Sequence, residues 1–260
     1  MFSGLKRGLS PFETLPEQRE LSANNQAERF SRSEALLGAA AMDRLAAANV
    51  LIVGVGGVGS WCAEALVRTG VGKMTLMDDD RVAASNVNRQ CPATARTVGQ
   101  VKVEAMAARL REINPDCEIT AKCERFERFD GLGQFNVIID AIDSVACKAE
   151  LILGATAAGL PLVSSMGAAL RTDPTQVTVS RFEQVAGDGL ARALRQRFKR
   201  LNRFPQGRFS CVWSREAVRR PADGAAAQPF SKGSLMPVTA TFGMCLASAT
   251  INLLTKGKPT

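Results

Sequence analysis

A short apolar run leads directly into a glycine-rich turn, and this junction limits the possible folds more than any other part of the sequence. Residues 50–53 have the length and composition of a buried strand. Gly54-Val55-Gly56-Gly57-Val58-Gly59 follows, and a helical pattern runs from about residue 58 to 69. Glycines allow a sharp turn and a close approach to phosphate, and a helix N-terminus offers N–H groups. The sequence therefore predicts a phosphate-binding unit, suited to a dinucleotide or to ATP.

Predicted strands and helices alternate through the first two thirds of the chain. The strands are expected at 49–54, 73–78, 117–122, 136–140, 161–164 and 176–180, and the helices at 33–48, 58–69, 98–114 and 145–159. The strand at 136–140 is almost wholly apolar, as expected when helices cover both faces of a sheet. This alternation predicts an α/β fold with a doubly wound, mostly parallel, Rossmann-like sheet and a C-terminal extension.

Composition divides the chain into three predicted parts. Residues 1–28 are polar and are expected to form a flexible, mostly disordered N-terminal arm. Residues 29–181 form the predicted nucleotide-binding core. Residues 182–260 form a basic, substrate-binding segment that ends in an apolar helix at 236–254. That helix is almost long enough to span a membrane, but its threonine, serine and asparagine residues favour a helix packed on the core.

The residue types that are missing exclude several kinds of chemistry. The 260 residues contain no histidine and no tyrosine, so histidine triads, histidine bases and histidine metal ligands are excluded within one chain. The seven cysteines form no Cys-x-x-Cys pair, which argues against a four-cysteine zinc site and a disulfide framework. The N-terminus lacks the apolar core of a signal peptide. We expect a cytoplasmic protein, with peripheral membrane association left open.

Polar side chains follow the predicted strands where their carboxyl ends would meet. Asp78 and Asp80 end the second strand, at a position that commonly binds ribose in dinucleotide and ATP sites alike. Asn86 and Arg89 follow in the next loop. These residues predict a nucleotide site at this edge, although the aspartates alone do not distinguish NAD from ATP.

Two further residues favour a triphosphate. Lys102 is predicted near the start of a helix, and Asp143 follows the fourth strand. Arginine and lysine suit a phosphoryl group under attack, because negative charge builds on its oxygens. Asp143 suits a magnesium ion bridged to phosphates. Taken singly, each residue has an ordinary explanation as a surface charge or helix cap; taken together, they favour an ATP site in which Arg89, Lys102 and Asp143 are catalytic.

These motifs resemble the adenylation domain of the ubiquitin-activating, ThiF/MoeB/HesA superfamily over about residues 29–181. The resemblance implies ATP-dependent adenylation of a carboxylate by a homodimer that uses Mg²⁺. It implies ribose binding by Asp78, phosphate contacts by Asn86, Arg89 and Lys102, and Mg²⁺ binding by Asp143. The matching motifs are Gly54-Val55-Gly56-Gly57-Val58-Gly59-Ser60, Asp78-Asp79-Asp80, Ser85-Asn86-Val87-Asn88-Arg89-Gln90, Val98-Gly99-Gln100-Val101-Lys102 and Asp140-Ala141-Ile142-Asp143-Ser144.

The same resemblance implies that an arginine from the opposing protomer reaches the ATP. Arg29 and Arg32 are the candidates for that arginine. A monovalent cation site and an accessory protein for sulfur or electron transfer are further open possibilities.

The C-terminal third resembles one branch of the superfamily, which dehydrates threonylcarbamoyladenosine at position 37 of tRNA into a ring. The carrying motifs are Arg171-Thr172-Asp173-Pro174-Thr175-Gln176-Val177, Ser210-Cys211-Val212-Trp213-Ser214 and Pro237-Val238-Thr239-Ala240-Thr241-Phe242-Gly243. The missing zinc cysteines support this branch over an activator of a ubiquitin-like sulfur-carrier protein, which would share the ATP residues. The glycine motif also leaves open an NAD-dependent oxidoreductase, and the basic charge leaves open a non-catalytic RNA-binding module. A structural role is favoured for Cys211 over a covalent one.

Basic residues are concentrated after the predicted core. Residues 181–220 contain eleven arginines and lysines against three acidic residues, within a chain of net charge +8. This segment is expected to track a tRNA backbone, unless it forms only a solvated helix face. The predicted RNA contacts are Arg192, Arg195, Lys199, Arg200 and Arg203.

Overall fold

Six parallel strands and one antiparallel edge strand form a single sheet in the computed structural model, which describes residues 22–127, 131–218 and 233–256. The sheet order is β3-β2-β1-β4-β5-β7-β6, and only β6 runs antiparallel to its neighbour. The predicted α/β, doubly wound fold is confirmed. The strands are β1 (Asn49–Val53), β2 (Lys73–Met77), β3 (Glu118–Lys122), β4 (Val137–Asp140), β5 (Leu162–Ser165), β6 (Val177–Arg181) and β7 (Ser210–Ser214).

Helices cover both faces of this sheet. They are α1 (Ser22–Leu37), α2 (Ala39–Ala47), α3 (Gly59–Arg68), α4 (Lys102–Ile113), α5 (Val145–Ala157), α6 (Gly189–Leu201) and α7 (Met236–Thr255). The alternation of side chains along β1 shows why both faces are covered. Val50 and Ile52 enter one apolar cluster, with α3, α4 and α7, while Leu51 and Val53 enter a second cluster, with α5 and α6. All four side chains are buried.

The strand order opens a crevice at the carboxyl edge of the sheet. β1 lies between β2 and β4, and the later strands of the chain lie on both sides of it: β2 and β3 on one side, and β4, β5, β7 and β6 on the other. Val53 is paired with Met77 on one side and with Asp140 on the other, so the segments after these three strands start side by side. Ligands of doubly wound sheets bind at such a switch point.

Glycines with left-handed backbone shorten one predicted helix and divide another. The helix predicted at 98–114 begins only at Lys102, because Gly99 has a φ of +91° and its N–H donates to Val82 O at 2.8 Å. The helix predicted at 33–48 is divided at Gly38, which has a φ of +81°. Left-handed backbone of this kind ends a right-handed helix.

The N-terminal arm and the C-terminal segment also differ from expectation. Residues 22–28 of the predicted disordered arm belong to α1, and residues 1–21 lie outside the described residues. The sheet does not end at residue 181, because β7, from the basic segment, lies between β5 and β6. β7 was not predicted, since its five residues lie in a region rich in arginine, glycine and proline.

The apolar helix α7 packs against α3. Val238, Phe242 and Leu246 are fully buried in the first cluster. A Cβ atom at Gly243 would lie 2.6 Å from Val58 O, so glycine allows the two helices to touch. Among the described residues, α7 is long and apolar enough to cross a membrane, but part of its surface is buried inside this fold.

Candidate nucleotide-binding site

The glycine turn between β1 and α3 is closely packed on its inner side. Gly54 has a φ of +90°, and a Cβ atom there would lie 2.6 Å from Ala141 O. A Cβ atom at Gly59 would lie 1.8 Å from Gly54 O. No side chain fits at either position, so these glycines set the path of the turn and place the N-terminus of α3 at the crevice.

Asp78 connects the glycine turn to the end of β2. Its Oδ2 accepts a hydrogen bond from the Val55 N–H at 2.7 Å, and its Oδ1 accepts from the Asp80 N–H at 3.0 Å. Lys102 Nζ lies 3.1 Å from Asp78 Oδ1 and 2.7 Å from Asp80 Oδ2. Only 3% of the Lys102 side chain is exposed, against 70% for Asp80. The structure therefore brings these three predicted residues together as one ion-pair network.

Arg89 lies over the glycine turn. A Cβ atom at Gly57 would be 3.2 Å from Arg89 Cγ, and the Trp61 side chain donates to Arg89 O at 2.9 Å. The guanidinium donates to Ser85 O at 2.9 Å and to Asn88 Oδ1 at 2.8 Å. Both of these partners are neutral, so neither compensates the positive charge of Arg89 beside the turn.

Asn86 shapes the loop that carries Arg89. Its Oδ1 accepts from the Ala83 N–H at 3.1 Å, and its backbone oxygen accepts from the Arg89 N–H at 3.0 Å. Gln90, which was not among the predicted site residues, is buried, and a Cβ atom at Gly56 would lie 3.9 Å from its Nε2. Gln90 Oε1 has no hydrogen-bond partner within the described part of the chain. The Gln90 side chain thus borders the turn and carries a buried, unpaired amide oxygen that suits a ligand hydroxyl group.

Asp143 is exposed on the loop at residues 141–144, between β4 and α5. Its carboxylate forms no ion pair with any residue of the described ranges. An oxygen ligand of this kind, free at the edge of the crevice, fits a magnesium ion that is held mainly by phosphates. The carboxylates of Asp78, Asp79 and Asp80 also lie within 4.8 Å of one another, although Lys102 neutralises part of their charge.

A fully buried ion pair lies beneath the Asp143 loop, and it was not predicted from the sequence. Lys148 Nζ lies 2.8 Å from Asp140 Oδ2, and neither side chain is exposed. Ser164 Oγ donates to the same carboxylate oxygen at 2.6 Å. A lysine in the apolar helix α5, five residues after Asp143, was the only signal in the sequence.

Cys211 faces this buried pair. It lies on β7 opposite Ser164 of β5 and has no exposed surface. Burial raises the pKa of the Cys211 thiol; the Lys148 charge acts against this shift and the Asp140 charge adds to it. A protonated, buried thiol is a poor nucleophile, so the geometry favours a structural role.

Of the two arginines predicted to act across a dimer, Arg29 lies far from the glycine turn of its own chain. Arg29 Nη1 lies 2.9 Å from Asn114 Oδ1 and 3.1 Å from Asp116 Oδ2, just past the end of α4. Lys102 begins that twelve-residue helix, so about 18 Å separates its two ends. Arg32 is exposed on α1. Arg29 is therefore not placed to reach the turn of its own chain. Arg29 instead lines a cavity of about 470 Å³ with Phe30, Arg68 and Arg109.

The predicted RNA-binding residues divide into two groups. Arg192, Lys199 and Arg200 are exposed on α6. Arg195 is half-buried: it donates to Phe182 O at 2.9 Å and to Val185 O at 2.7 Å, and its guanidinium lies over the Phe182 ring. Arg203 is exposed and pairs with Glu150 at 3.0 Å. The helix begins near the crevice, since Asp188 at its N-cap accepts from the Gly167 N–H after β5.

Comparison with known proteins gives consistent matches. The family model described as ThiF family matches residues 30–260. The tRNA threonylcarbamoyladenosine dehydratase of Escherichia coli is 39% identical over 245 residues, which cover 85% of this chain and 91% of the relative. Crystal structures of the E. coli tRNA N6-threonylcarbamoyladenosine dehydratase in complex with AMP and with ATP superpose with TM-scores of 0.81 and 0.79. Both are 38% identical and cover 89% of this chain and 96% of the solved one.

Proposed function

Because this chain belongs to the ThiF family, we propose that it catalyses the ATP-dependent dehydration of N6-threonylcarbamoyladenosine at position 37 of tRNA. The observation that carries the proposal is the 39% identity to a dehydratase over 85% of the chain, which includes the basic segment as well as the nucleotide-binding core. The site geometry supports it, because the glycine turn, Arg89, the Asp78–Lys102 network and Asp143 all lie along one edge of the sheet.

ATP is the first substrate, and the glycine turn is its proposed phosphate cradle. No side chain covers the backbone at the four glycines of the turn, and Arg89 lies over it. These glycines are Gly54, Gly56, Gly57 and Gly59. Asp78 and Asp80 bind the ribose in this proposal, and Asn86 contributes to the phosphate contacts. Gln90 offers a further hydrogen-bond acceptor next to the turn. We place the reaction in the cytoplasm, where ATP and tRNA meet.

Lys102 keeps one donor for the nucleotide. An ammonium group has three N–H donors, and the two aspartates occupy two of them. The aspartates thus orient the remaining N–H while the side chain stays buried. Mg²⁺, held by Asp143, would add positive charge at the phosphate oxygens.

The proposed first step is attack by the threonylcarbamoyl carboxylate on the α-phosphate of ATP. A bond forms between a carboxylate oxygen and the α-phosphorus, and pyrophosphate leaves. Arg89 and Lys102 stabilise the negative charge that develops on the phosphoryl oxygens. The product is a mixed anhydride of the side chain and AMP.

The proposed second step closes the ring. A ureido atom of the same side chain attacks the activated carbonyl, AMP leaves with the bridging oxygen, and the ureido group loses one N–H proton to solvent. Both reacting groups belong to one side chain, and such intramolecular reactions can reach effective concentrations of about 10⁵–10⁸ M. This high effective concentration explains how a chain without histidine could carry out the step.

The tRNA is proposed to lie along the exposed face of α6. Arg192 begins this face near the crevice, and Lys199 and Arg200 continue it about 12 Å further along the helix. Arg203 extends the same surface. Arg195 supports the surface through its backbone contacts and contributes positive charge.

A homodimer is proposed to complete the ATP site. Arg29 contacts Asn114 and Asp116, at the end of α4 away from its own glycine turn, and a second copy of the chain could bring Arg29 or the exposed Arg32 to that turn. We expect an Arg29→Ala chain to regain ATP turnover when it is mixed with an inactive Lys102→Ala chain. Turnover no greater than the sum of the two separate variants would contradict the exchange of Arg29 between protomers.

Mass spectrometry of modified tRNA tests the function directly. Incubation with ATP and Mg²⁺ should remove one water from the modified nucleoside and release one AMP and one pyrophosphate. Oxygen isotope placed in the substrate carboxylate should appear in AMP. The control is tRNA without the threonylcarbamoyl group, which should release no AMP. Pyrophosphate exchange with a ubiquitin-like sulfur carrier, without any change in tRNA mass, would favour activation of that carrier instead.

A further inference from the structure

We propose that the buried Asp140–Lys148 pair is a positioning device, which holds Ile142 in place and so fixes the direction of the Asp143 carboxylate toward Mg²⁺ and ATP. This inference rests on the function proposed above, since it concerns the same site. Asp140 and Lys148 do not touch the nucleotide in this proposal. They act through the backbone of the loop at residues 141–144.

Both polar backbone groups of Ile142 are bound by this pair. The Ile142 N–H donates to Asp140 Oδ1 at 3.2 Å, and Lys148 Nζ donates to Ile142 O at 3.1 Å. Lys148 also pairs with Asp140 Oδ2 at 2.8 Å. The carboxylate and the ammonium group therefore form a closed set of contacts around the residue that immediately precedes Asp143.

The neighbouring strands β5 and β1 fix the position of Asp140 and of the loop after it. Ser164 on β5 donates to Asp140 Oδ2 at 2.6 Å, which fixes the carboxylate from the far side. The Ala141 N–H donates to Val53 O at 2.8 Å, and Ala141 O lies against Gly54. The loop is thus fastened to β1 at Ala141 and to the ion pair at Ile142, and Asp143 is the next residue outward.

Stability alone is a poor explanation for this pair. Removing two charges from water is costly, and a buried ion pair can often be replaced by apolar side chains with no loss of stability. Neither Asp140 nor Lys148 has any exposed surface, so the full cost applies here. The hydrogen bonds to Ile142 are what an apolar replacement could not reproduce, and they act on the loop that carries Asp143.

The test measures divalent-cation binding in the full-length protein without tRNA. Mn²⁺ replaces Mg²⁺ as the probe, and electron paramagnetic resonance gives its half-saturating concentration in the presence of ATP. Asp140→Leu combined with Lys148→Met removes both charges. This double variant should raise the half-saturating Mn²⁺ concentration by about tenfold, as changes behind a metal ligand commonly do. Hydrogen exchange at the Ile142 and Asp143 amides should also accelerate.

A double-mutant cycle between the ion pair and Asp143 distinguishes a positioning role from a general loss of stability. Asp143→Asn should raise the half-saturating Mn²⁺ concentration strongly in the wild-type chain and much less in the double variant, because the carboxylate is already misplaced there. The matched control is Leu153→Ala, which destabilises the same helix from a buried position away from the loop. It should leave Mn²⁺ binding unchanged.

A milder variant keeps the test decisive if the double variant does not fold. Ser164→Ala removes one hydrogen bond to Asp140 and keeps the ion pair, and it should raise the half-saturating Mn²⁺ concentration about two- to fivefold. Unchanged Mn²⁺ binding in the folded variants, or fully additive effects with Asp143→Asn, would overturn the positioning role alone. A wild-type chain that does not bind Mn²⁺ with ATP would overturn the proposed function as well.

Discussion

Gly54 combines left-handed backbone with a neighbour that leaves no room for a side chain. In Gly54→Ala, the new Cβ atom would meet Ala141 O at 2.6 Å, at a φ of +90°. We expect the free energy of unfolding to fall by about 1–3 kcal/mol and ATP binding to be lost, because the turn must open. Urea unfolding and nucleotide titration measure the two effects. Gly133→Ala is the control, since nothing lies within 4 Å of its Cβ position. Equal effects at the two glycines would contradict the geometry.

The Cys211 thiol should be unreactive in the folded protein. Burial raises the pKa of its thiol, so iodoacetamide at pH 8 should modify the exposed Cys123 and leave Cys211 unmodified in the folded protein. Cys211→Ala should retain ATP-dependent turnover within about threefold, because the proposed ring closure is intramolecular. Peptide mass spectrometry after alkylation and an AMP-release assay give these results. Loss of turnover in a stably folded Cys211→Ala variant would point instead to a covalent role.

The residues at the crevice could be predicted where they follow strands. Asp78 follows β2 and Asp143 follows β4, the two parallel strands on either side of β1, and the carboxyl ends of these strands lie at the same edge of the sheet. The position of Lys102 between two aspartates could not be predicted, because the preceding segment turns at Gly99 before the helix begins. Lys148 and Gln90 were missed for a related reason. Their importance lies in their burial, which the packing of distant segments decides.

One carboxylate, that of Glu64 on α3, joins α3 to α4 through Arg109 in addition to their apolar contacts. Burial alone would raise the pKa of Glu64, but hydrogen bonds from Arg109, Cys91 and Arg68 lower it from 4.5 to about 2. Because the pKa is lower in the folded state, this stabilisation is complete above about pH 4.5 and is lost as the pH falls toward 2.

Glu64→Gln should therefore destabilise the protein in a pH-dependent way. We expect a loss of about 1–3 kcal/mol at pH 7, since two arginines lose their charged partner. The gap between variant and wild type should narrow as the pH falls below about 4.5. Urea unfolding at pH 7, 5 and 3.5 measures this gap, with Glu104→Gln on the exposed face of α4 as control. A gap that is constant with pH would show that Glu64 stabilises the helices by packing alone.

The exposed face of α6 should make tRNA binding depend on salt. Lys199→Ala combined with Arg200→Ala should weaken tRNA binding and reduce the slope of log affinity against log salt by about 0.7–0.9 for each lost phosphate contact. Lys73→Ala is the control, because Lys73 begins β2 on the other half of the sheet and pairs with Glu118. Filter binding across a salt series provides both numbers. An unchanged slope would place the RNA on another surface.

Strands with a strong apolar pattern could be predicted from the sequence. A strand whose conformation depends mainly on pairing with distant strands could not. β1 and β4 are nearly continuous apolar runs, and both were predicted to within a residue or two. β7 has only three apolar or sulfur-containing positions in five, and its pairing with β5 and β6 makes it a strand. The break between α1 and α2 at Gly38 was not predicted, because the alanines that follow Gly38 favour a continuous helix.

At the scale of the whole molecule, nucleotide preference separates ATP chemistry from hydride transfer. ATP with Mg²⁺ at 100 times its dissociation constant should add about 2.7 kcal/mol to the free energy of unfolding. For a domain of this size, that gain corresponds to a rise of about 5–10 °C in the melting temperature. NAD at the same concentration should give no rise. Differential scanning fluorimetry compares the two, and stabilisation by NAD alone would favour an oxidoreductase.

The place of β7 in the sheet affects how the protein is made. During synthesis β1 to β6 emerge from the ribosome before β7 (Ser210–Ser214), yet β6 joins the sheet only by pairing with β7. A nascent chain that has not yet emerged past residue 214 therefore carries an open edge along β5, with its backbone groups unpaired. Open edges of this kind invite pairing with other chains. Stalled or prematurely ended synthesis in this interval should yield insoluble fragments, whereas chains released after β7 can close the sheet.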